Sequence, residues 1–296
     1  MKIGLVAGSL PAMMGGGLLK AFAVNAERLG VATLWAPEHL VLLNKYASKY
    51  PYSDDGKMQR AMDAPIFDPF ISLACVAAVT SKIRIATGIC LVPEHNPIAL
   101  AKTVATLDFL SGGRVTLGVG IGWLKEEFDA LGVPWERRAD RTREYIDAMR
   151  QLWGDDKVNS YNGEFVRFDD ALCYPKPVQG AALPVFFGGE SGPALRRVAE
   201  YGDGWIGYRL TADEAAAKIR RLEELLKANG RKRSDIEVAA SPQSKPMTED
   251  DLKRYRDAGA DQVVITTFAP PSNEQELVRK IEQLARDWID PAAKLS

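Results

Sequence analysis

A chain of 296 residues, 46% hydrophobic and 26% charged, can bury one large core or two small ones, and its formal charge of −1 offers no basic surface to nucleic acid or anionic lipid. A small organic molecule is the partner this balance favours. The apolar run from Met1 to Ala7 is too short for a secretory leader, no stretch reaches the ~18 to 20 apolar residues of a membrane span, and Cys75, Cys90 and Cys173 form no CxxC pair, so a cytoplasmic protein with three buried, reduced thiols is expected.

Along the chain, short β-rich runs alternate with longer amphipathic segments. Lys2 to Ala7 reads as a strand and Leu18 to Leu29 as a helix, stopped by Gly30. Thr33 to Ala36 is a second strand. The helix from Asp68 to Val79 has Asp68 as its N-cap and Pro69 at its first position. Ile83 to Val92, Arg114 to Val119, Pro184 to Phe187, Gly204 to Gly207, Ile236 to Ala240 and Gln262 to Thr267 complete the strands. Helices are expected at Pro97 to Leu110, up to Tyr201, and over Ala212 to Ala228, Thr248 to Ala258 and Asn273 to Trp288. Eight strands, each followed by a helix, predict one (β/α)8 TIM barrel over residues 1–296, with an open α/β sheet as the alternative. Two stretches interrupt the alternation. Leu40 to Phe67 is a long loop after the second strand, rich in Tyr, Lys and Asp, and is a candidate lid. Tyr161 to Gln179, with its Tyr161-Asn162-Gly163-Glu164-Phe165 turn, is an insertion before the fifth strand.

A barrel carries its ligand at the C-terminal ends of its strands, so the chemistry is sought there. His39, just past the second strand, can hydrogen-bond or move a proton near neutral pH, or can be a loop histidine bonded to backbone. Gly88, in the run Thr87-Gly88-Ile89-Cys90, marks a bulge that serves either a ligand or barrel closure. Gly118-Val119-Gly120-Ile121-Gly122-Trp123 lacks the dinucleotide spacing, and the first strand is followed only by Gly8 and Gly15-Gly16-Gly17, which argues against a Rossmann site. Gly188-Gly189-Glu190-Ser191-Gly192 lies between a strand and a helix, where backbone N–H groups and a hydroxyl can face a phosphate, or where a plain Ser-capped turn can sit. Glu126 and Glu127 begin a helix, where acids complement its dipole.

In order, Asn96-Pro97, Leu110-Ser111-Gly112-Gly113-Arg114, Gly118 to Trp123, Glu127, Ala130-Leu131-Gly132, Arg141, Glu144, Leu152-Trp153, Pro184, Gly188 to Ser191 and Gly202-Asp203-Gly204-Trp205 resemble the luciferase-like monooxygenase superfamily, especially its coenzyme F420 (deazaflavin) branch. The resemblance implies that His39 stands against the cofactor ring as the catalytic polar group, with Glu38 beside it. It also implies a non-prolyl cis bond at Gly88-Ile89 beneath the ring, with Thr87 and Gly120 alongside, and a phosphate grip by Gly188, Gly189, Glu190 and Ser191. Trp123 occupies the place of a catalytic glutamate in the branch's sugar-phosphate dehydrogenases. A Trp accepts no proton, so glucose 6-phosphate is not expected as substrate. Hydride transfer between F420 and a small organic molecule is the implied activity. An FMN-dependent monooxygenase and a non-catalytic flavin binder are the alternatives. Homodimers built through barrel helices are common in the family, and the second and third helices have apolar positions to serve one.

Overall fold

The computed structural model describes residues 1–6, 16–58, 61–243, 245–266 and 271–295. Ala7 and Thr267, expected to end the first and last strands, lie outside the described residues, as do Gly8 and Gly15. Eight parallel staves close into a barrel: β1 (Lys2–Val6), β2 (Thr33–Ala36), a stave split into β3 (Arg84–Thr87) and β4 (Cys90–Leu91), β5 (Val115–Gly120), and then β8 (Val185–Gly188), β9 (Gly204–Gly207), β10 (Glu237–Ala240) and β11 (Gln262–Thr266). The closing seam is made by β5, which pairs with β3 lower down and with β4 higher up. β6 (Asn159–Asn162) and β7 (Arg167–Ala171) form a separate antiparallel hairpin within the expected insertion.

The barrel follows from the period-two alternation of the staves. Leu34, Ile85, Val185, Phe187, Val238, Val263 and Ile265 face the helices, while Trp35, Ala86, Phe186, Ala239 and Val264 fill the interior. The Trp35 indole N–H donates to Gln262 Oε1 at 2.9 Å, and the Gln262 amide donates to Thr33 Oγ1 at 3.0 Å, so the buried polar atoms near the floor are paired.

The outer layer is α1 (Gly16–Arg28), α2 (Pro69–Ala77), α3 (Pro97–Ser111), α4 (Lys125–Leu131), α5 (Arg138–Trp153), α6 (Gly192–Tyr201), α7 (Ala212–Ala228), α8 (Glu249–Asp257), α9 (Glu274–Leu284) and the short α10 (Asp290–Ala293). The caps are those the residues favour. Asp68 accepts from Ile71 N at 2.8 Å ahead of Pro69, and Gly30 and Gly112 take positive φ at helix ends. Two helices, α4 and α5, follow the fourth stave in place of one, because Gly132 stops the first at φ 69° and Pro134 stands two residues on. The expected last helix runs only to Leu284 before a π-helical turn over Ala285–Ile289. The cysteine expectation is corrected at one position. Cys90 and Cys173 are buried, but Cys75 is exposed, because it falls on the outer face of α2 while Leu73 and Val76 face the core. No described helix is long and apolar enough to cross a membrane.

The split stave determines the barrel mouth. Gly88-Ile89 is a cis peptide bond, at the place the resemblance implied. The neighbouring staves accommodate the bulge by omitting side chains. A Cβ on Gly118 would stand 2.0 Å from the Thr87 carbonyl oxygen, and one on Gly120 would stand 1.9 Å from Ile89 Cδ1. The first clash is with backbone, so Gly118→Ala is expected to lower stability by about 1–3 kcal/mol or more in denaturant unfolding. Gly154→Ala, whose methyl would meet nothing nearer than the Gln151 carbonyl oxygen at 3.5 Å, is expected to unfold like the unmodified protein.

Candidate active site

β2 ends at Ala36, and Pro37-Glu38-His39 carries the chain over the rim. His39 is held from across the mouth. Its Nδ1 lies 2.7 Å from Glu127 Oε2, and Glu127, in the first turn of α4, is fully buried. The other oxygen of Glu127 accepts from Val41 N at 3.0 Å. A carboxylate that accepts a hydrogen bond from Nδ1–H orients the ring and leaves Nε2 to meet a ligand. Glu127, read from sequence as a helix-dipole acid, thus belongs to the site. Glu126 beside it accepts from Ala47 N at 2.6 Å and Ser48 N at 3.2 Å and so fastens the long loop.

A second Glu-His pair lies behind the first. Glu94-His95 follows the third stave as Glu38-His39 follows the second, and His95 reaches back to Glu38. Glu38 Oε2 accepts from Leu91 N at 2.6 Å, and the His95 Nε2 lies 3.1 Å from each Glu38 oxygen. Burial pulls the His95 pKa down, but the hydrogen bond and charge of Glu38 outweigh it and raise it. Both Glu94 oxygens are buried with no hydrogen-bond partner. Burial, followed by the charges of Glu127 and Glu38, pushes the Glu94 carboxyl up to about 9, so it is a neutral acid at pH 7. Glu94 and His95 escaped the sequence reading. The signal available was that the chain has only two histidines, each preceded by Glu and each following a barrel strand.

Beside His39 the floor of the mouth is the bulge. Ile89 fills the space left by Gly120 and Gly188, where a Cβ on the latter would be 3.1 Å from Ile89 Cγ2. Thr87 is buried, and its hydroxyl donates to the Gly118 carbonyl at 2.6 Å. A Cβ on Gly88 would come within 3.1 Å of Trp35. The expected ring-side residues Gly88, Ile89 and Gly120 therefore meet at one spot, and Gly188, expected in the phosphate grip, lies against Ile89 there as well. The carboxylate of Glu38 and the hydroxyl of Thr87 are engaged by protein partners.

The turn after β8 provides the second half. Gly189 has φ 106°, a conformation open to glycine, and Ser191 caps α6 by accepting from Ala194 N at 3.3 Å, which leaves the hydroxyl proton for an anion. The Glu190 carboxylate turns away. It accepts from Tyr208 N at 2.7 Å and bonds the Tyr52 hydroxyl, and burial raises its pKa against these hydrogen bonds. A carboxylate repels phosphate, so what residue 190 can offer a phosphate is its main-chain N–H.

The loop expected to be a lid has no helix or strand among its described residues and crosses the mouth on aromatic contacts. Tyr46 and Tyr50 meet Trp123 edge-on at 5.6 and 5.1 Å, Trp123 meets His39 at 6.1 Å, and Tyr52 meets Tyr208 at 4.8 Å. Trp123, at the position of a glutamate in part of the F420 branch, is thus a wall between His39 and the loop. The opposite end of the barrel has a groove of about 560 Å³, but its charged residues are spent on structure: Glu237 pairs with Lys2 and Arg84, Asp203 with Arg150, and Asp261 with Arg233.

The chain is similar to known proteins in sequence and in fold. A curated protein of Mycobacterium tuberculosis, itself uncharacterized, is 36% identical over 266 residues, covering 90% of this chain and 92% of its own. The FMNH(2)-dependent dimethylsulfone monooxygenase of Pseudomonas putida is 34% identical over 163 residues, 54% of this chain and 44% of that one. Among solved structures, the coenzyme F420-dependent tetrahydromethanopterin reductase of Methanopyrus kandleri superposes with a TM-score of 0.74 over 98% of both chains at 19% identity, a likeness of fold. The family model described as luciferase-like monooxygenase matches residues 9–286, and the chain belongs to that family.

Proposed function

We propose that the chain is an oxidoreductase that passes a hydride between coenzyme F420 and a small organic substrate, with His39 handling the accompanying proton. The observation that carries this is the 2.7 Å contact between His39 Nδ1 and the buried Glu127, which makes a fixed, oriented imidazole at the rim of a flavoenzyme-type barrel. The residues fit a flavin-like cofactor at two places. Gly88, Ile89, Gly120 and Gly188 make a close-approach platform for a flat ring, and Gly189 to Ser191 make an anion turn at a helix N-terminus. When bound, the deazaflavin supplies two-electron hydride chemistry. His39 Nε2 gives a proton to, or takes one from, the substrate oxygen, and Glu127 stabilises the imidazolium. Trp123 and the loop tyrosines exclude water from one side. Neutral Glu94 spares the mouth a further negative charge.

The family motifs from Asn96 to Trp123 and the fold shared with the reductase of M. kandleri support the deazaflavin. The relative in P. putida supports the second reading, a monooxygenase using reduced FMN and oxygen on the same scaffold. We also propose a homodimer. Ile71 on α2, Phe109 and Leu110 on α3, and Leu172 and Val178 of the insertion expose an apolar face, each side chain at least 55% accessible, and Lys102 bonds the Tyr174 carbonyl to join helix and insertion.

Titration of tryptophan fluorescence with F420 and with FMN, separately, tests the cofactor; tight FMN binding with none of F420 overturns the first reading in favour of the second. His39→Ala is expected to lower turnover of a carbonyl panel about 100-fold or more while changing F420 affinity far less, with Glu127→Gln intermediate; unchanged turnover in His39→Ala removes its role.

The folded chain keeps the Glu94 proton that the unfolded chain loses above its ordinary carboxyl pKa, so stability falls as pH rises from about 4.5 to about 9 and levels off above. Glu94→Gln is expected to remove that slope, with a gain on the order of 3 kcal/mol at pH 7 and almost none near pH 4.5 in guanidinium unfolding. Leu110→Lys is expected to halve the mass measured by light scattering.

A further inference from the structure

Glu38, Cys90 and His95 come together behind the rim from three places: the segment after β2, the first residue of β4 and the turn after the third stave. Each offers one ligand atom, a carboxylate oxygen, a sulfur and a ring nitrogen, and the three atoms lie within 4.8 Å of one another. Among the described residues no other group of three His, Cys, Asp or Glu side chains does so. Cys90 is fully buried, and the side chains of Glu38 and His95 are 1% and 18% exposed, so the cluster has one edge toward solvent. The His95 Nε2 lies 3.1 Å from each carboxylate oxygen, and the Phe70 ring packs edge-on against the imidazole at 6.3 Å. Glu38 Oε2 also takes the Leu91 amide, which ties the carboxylate to the strand that carries Cys90.

A thiolate, an imidazole and a carboxylate together suit zinc rather than magnesium or calcium, which take oxygen ligands. Tetrahedral bonds of ~2.0–2.3 Å set ligand atoms ~3.5 Å apart, so these side chains reach that geometry by moving about 1 Å. We propose that Glu38, Cys90 and His95 bind a zinc ion behind His39, with water at the fourth position. Zinc takes the place of the Cys90 thiol proton, which leaves to solvent, and of the hydrogen on His95 Nε2, the ring then carrying its one hydrogen on Nδ1. One thiolate and one carboxylate balance the 2+ charge, so the metal is buried without net charge. Glu94, one residue before His95, has two buried oxygens with no hydrogen-bond partner and lies within electrostatic reach of both Cys90 and Glu38; it is the acceptor at hand for the zinc-bound water. The pH dependence expected from Glu94 belongs to the metal-free chain, because a cation beside it draws its proton off. The ion clamps the residues before His39 to the third stave, a second hold on the rim beside the Glu127 contact.

The test needs no flavin or deazaflavin. The chain, freed of metal with a chelator, is titrated with zinc and separately with magnesium in competition against a chromophoric chelator, and the zinc form is measured by X-ray absorption at the zinc edge. One zinc per chain is expected, with a single sulfur at ~2.3 Å and nitrogen or oxygen at ~2.0 Å, and no magnesium uptake. Cys90→Ser and His95→Gln are each expected to weaken zinc binding about 100-fold or more, while Cys75→Ser, at the exposed thiol, binds as the unmodified chain does. Zinc is also expected to raise the thermal unfolding midpoint of the unmodified chain and to leave that of Cys90→Ser unchanged, and the midpoints without zinc show whether each variant folds. Zinc held with no sulfur neighbour places it at His39 and Glu127 and overturns the proposal. Sulfur ligation that survives Cys90→Ser overturns it too, as does a chain that takes up no zinc.

Discussion

The candidate site hangs on one buried carboxylate. Glu127 reaches from α4 to the segment after β2, taking His39 with one oxygen and the Val41 amide with the other, so a single side chain sets the ring's orientation and the starting direction of the long loop. A fully buried carboxylate is tolerated only when its lone pairs are engaged, and each of its two oxygens has a partner. The arrangement then constrains its neighbours. Glu94, buried without a hydrogen-bond partner, holds its proton first because burial penalises its charge and then because Glu127 and Glu38 already supply two acids nearby.

The mouth also depends on an exchange of volume between staves. The bulge that brings Ile89 into the barrel is possible because Gly118, Gly120 and Gly188 leave room where their neighbours have side chains. Packing at this density passes the constraint outward: the glycines let the third stave split, the split brings Glu94 and His95 to the rim, and the rim residues secure Glu38. The loop closes over this floor by contacts of a different kind, aromatic edges against Trp123 and Tyr208 with a few backbone bonds to Glu126 and the Tyr52 hydroxyl on Glu190. Such contacts are individually weak.

Electrostatics differ between the two ends of the barrel. The rim beside β2 and β4 concentrates two Glu-His contacts, His39 with Glu127 and His95 with Glu38. At the floor of the barrel the charges instead pair off and close the cylinder.

The sequence by itself determined the barrel. Period-two runs separated by amphipathic segments specify eight staves and most of their covering helices, though not α5, and capping signals such as Asp68-Pro69 and Gly30 place some of the ends, because both depend on neighbours close in the chain. Family motifs also placed His39, the Gly88-Ile89 bond and the Gly188 to Ser191 turn at the mouth. Tertiary structure decided the rest. That Glu127 serves His39 across 88 residues, that Glu38 answers His95 and leaves Glu94 alone, and that Glu190 turns its carboxylate to Tyr208 are matters of which side chains the closed barrel brings together. Local sequence reports propensity and period, while charge pairing between distant segments exists only after the chain has closed. For that reason an acid in the first turn of a helix read as a dipole complement, and only the fold could make it the partner of a histidine.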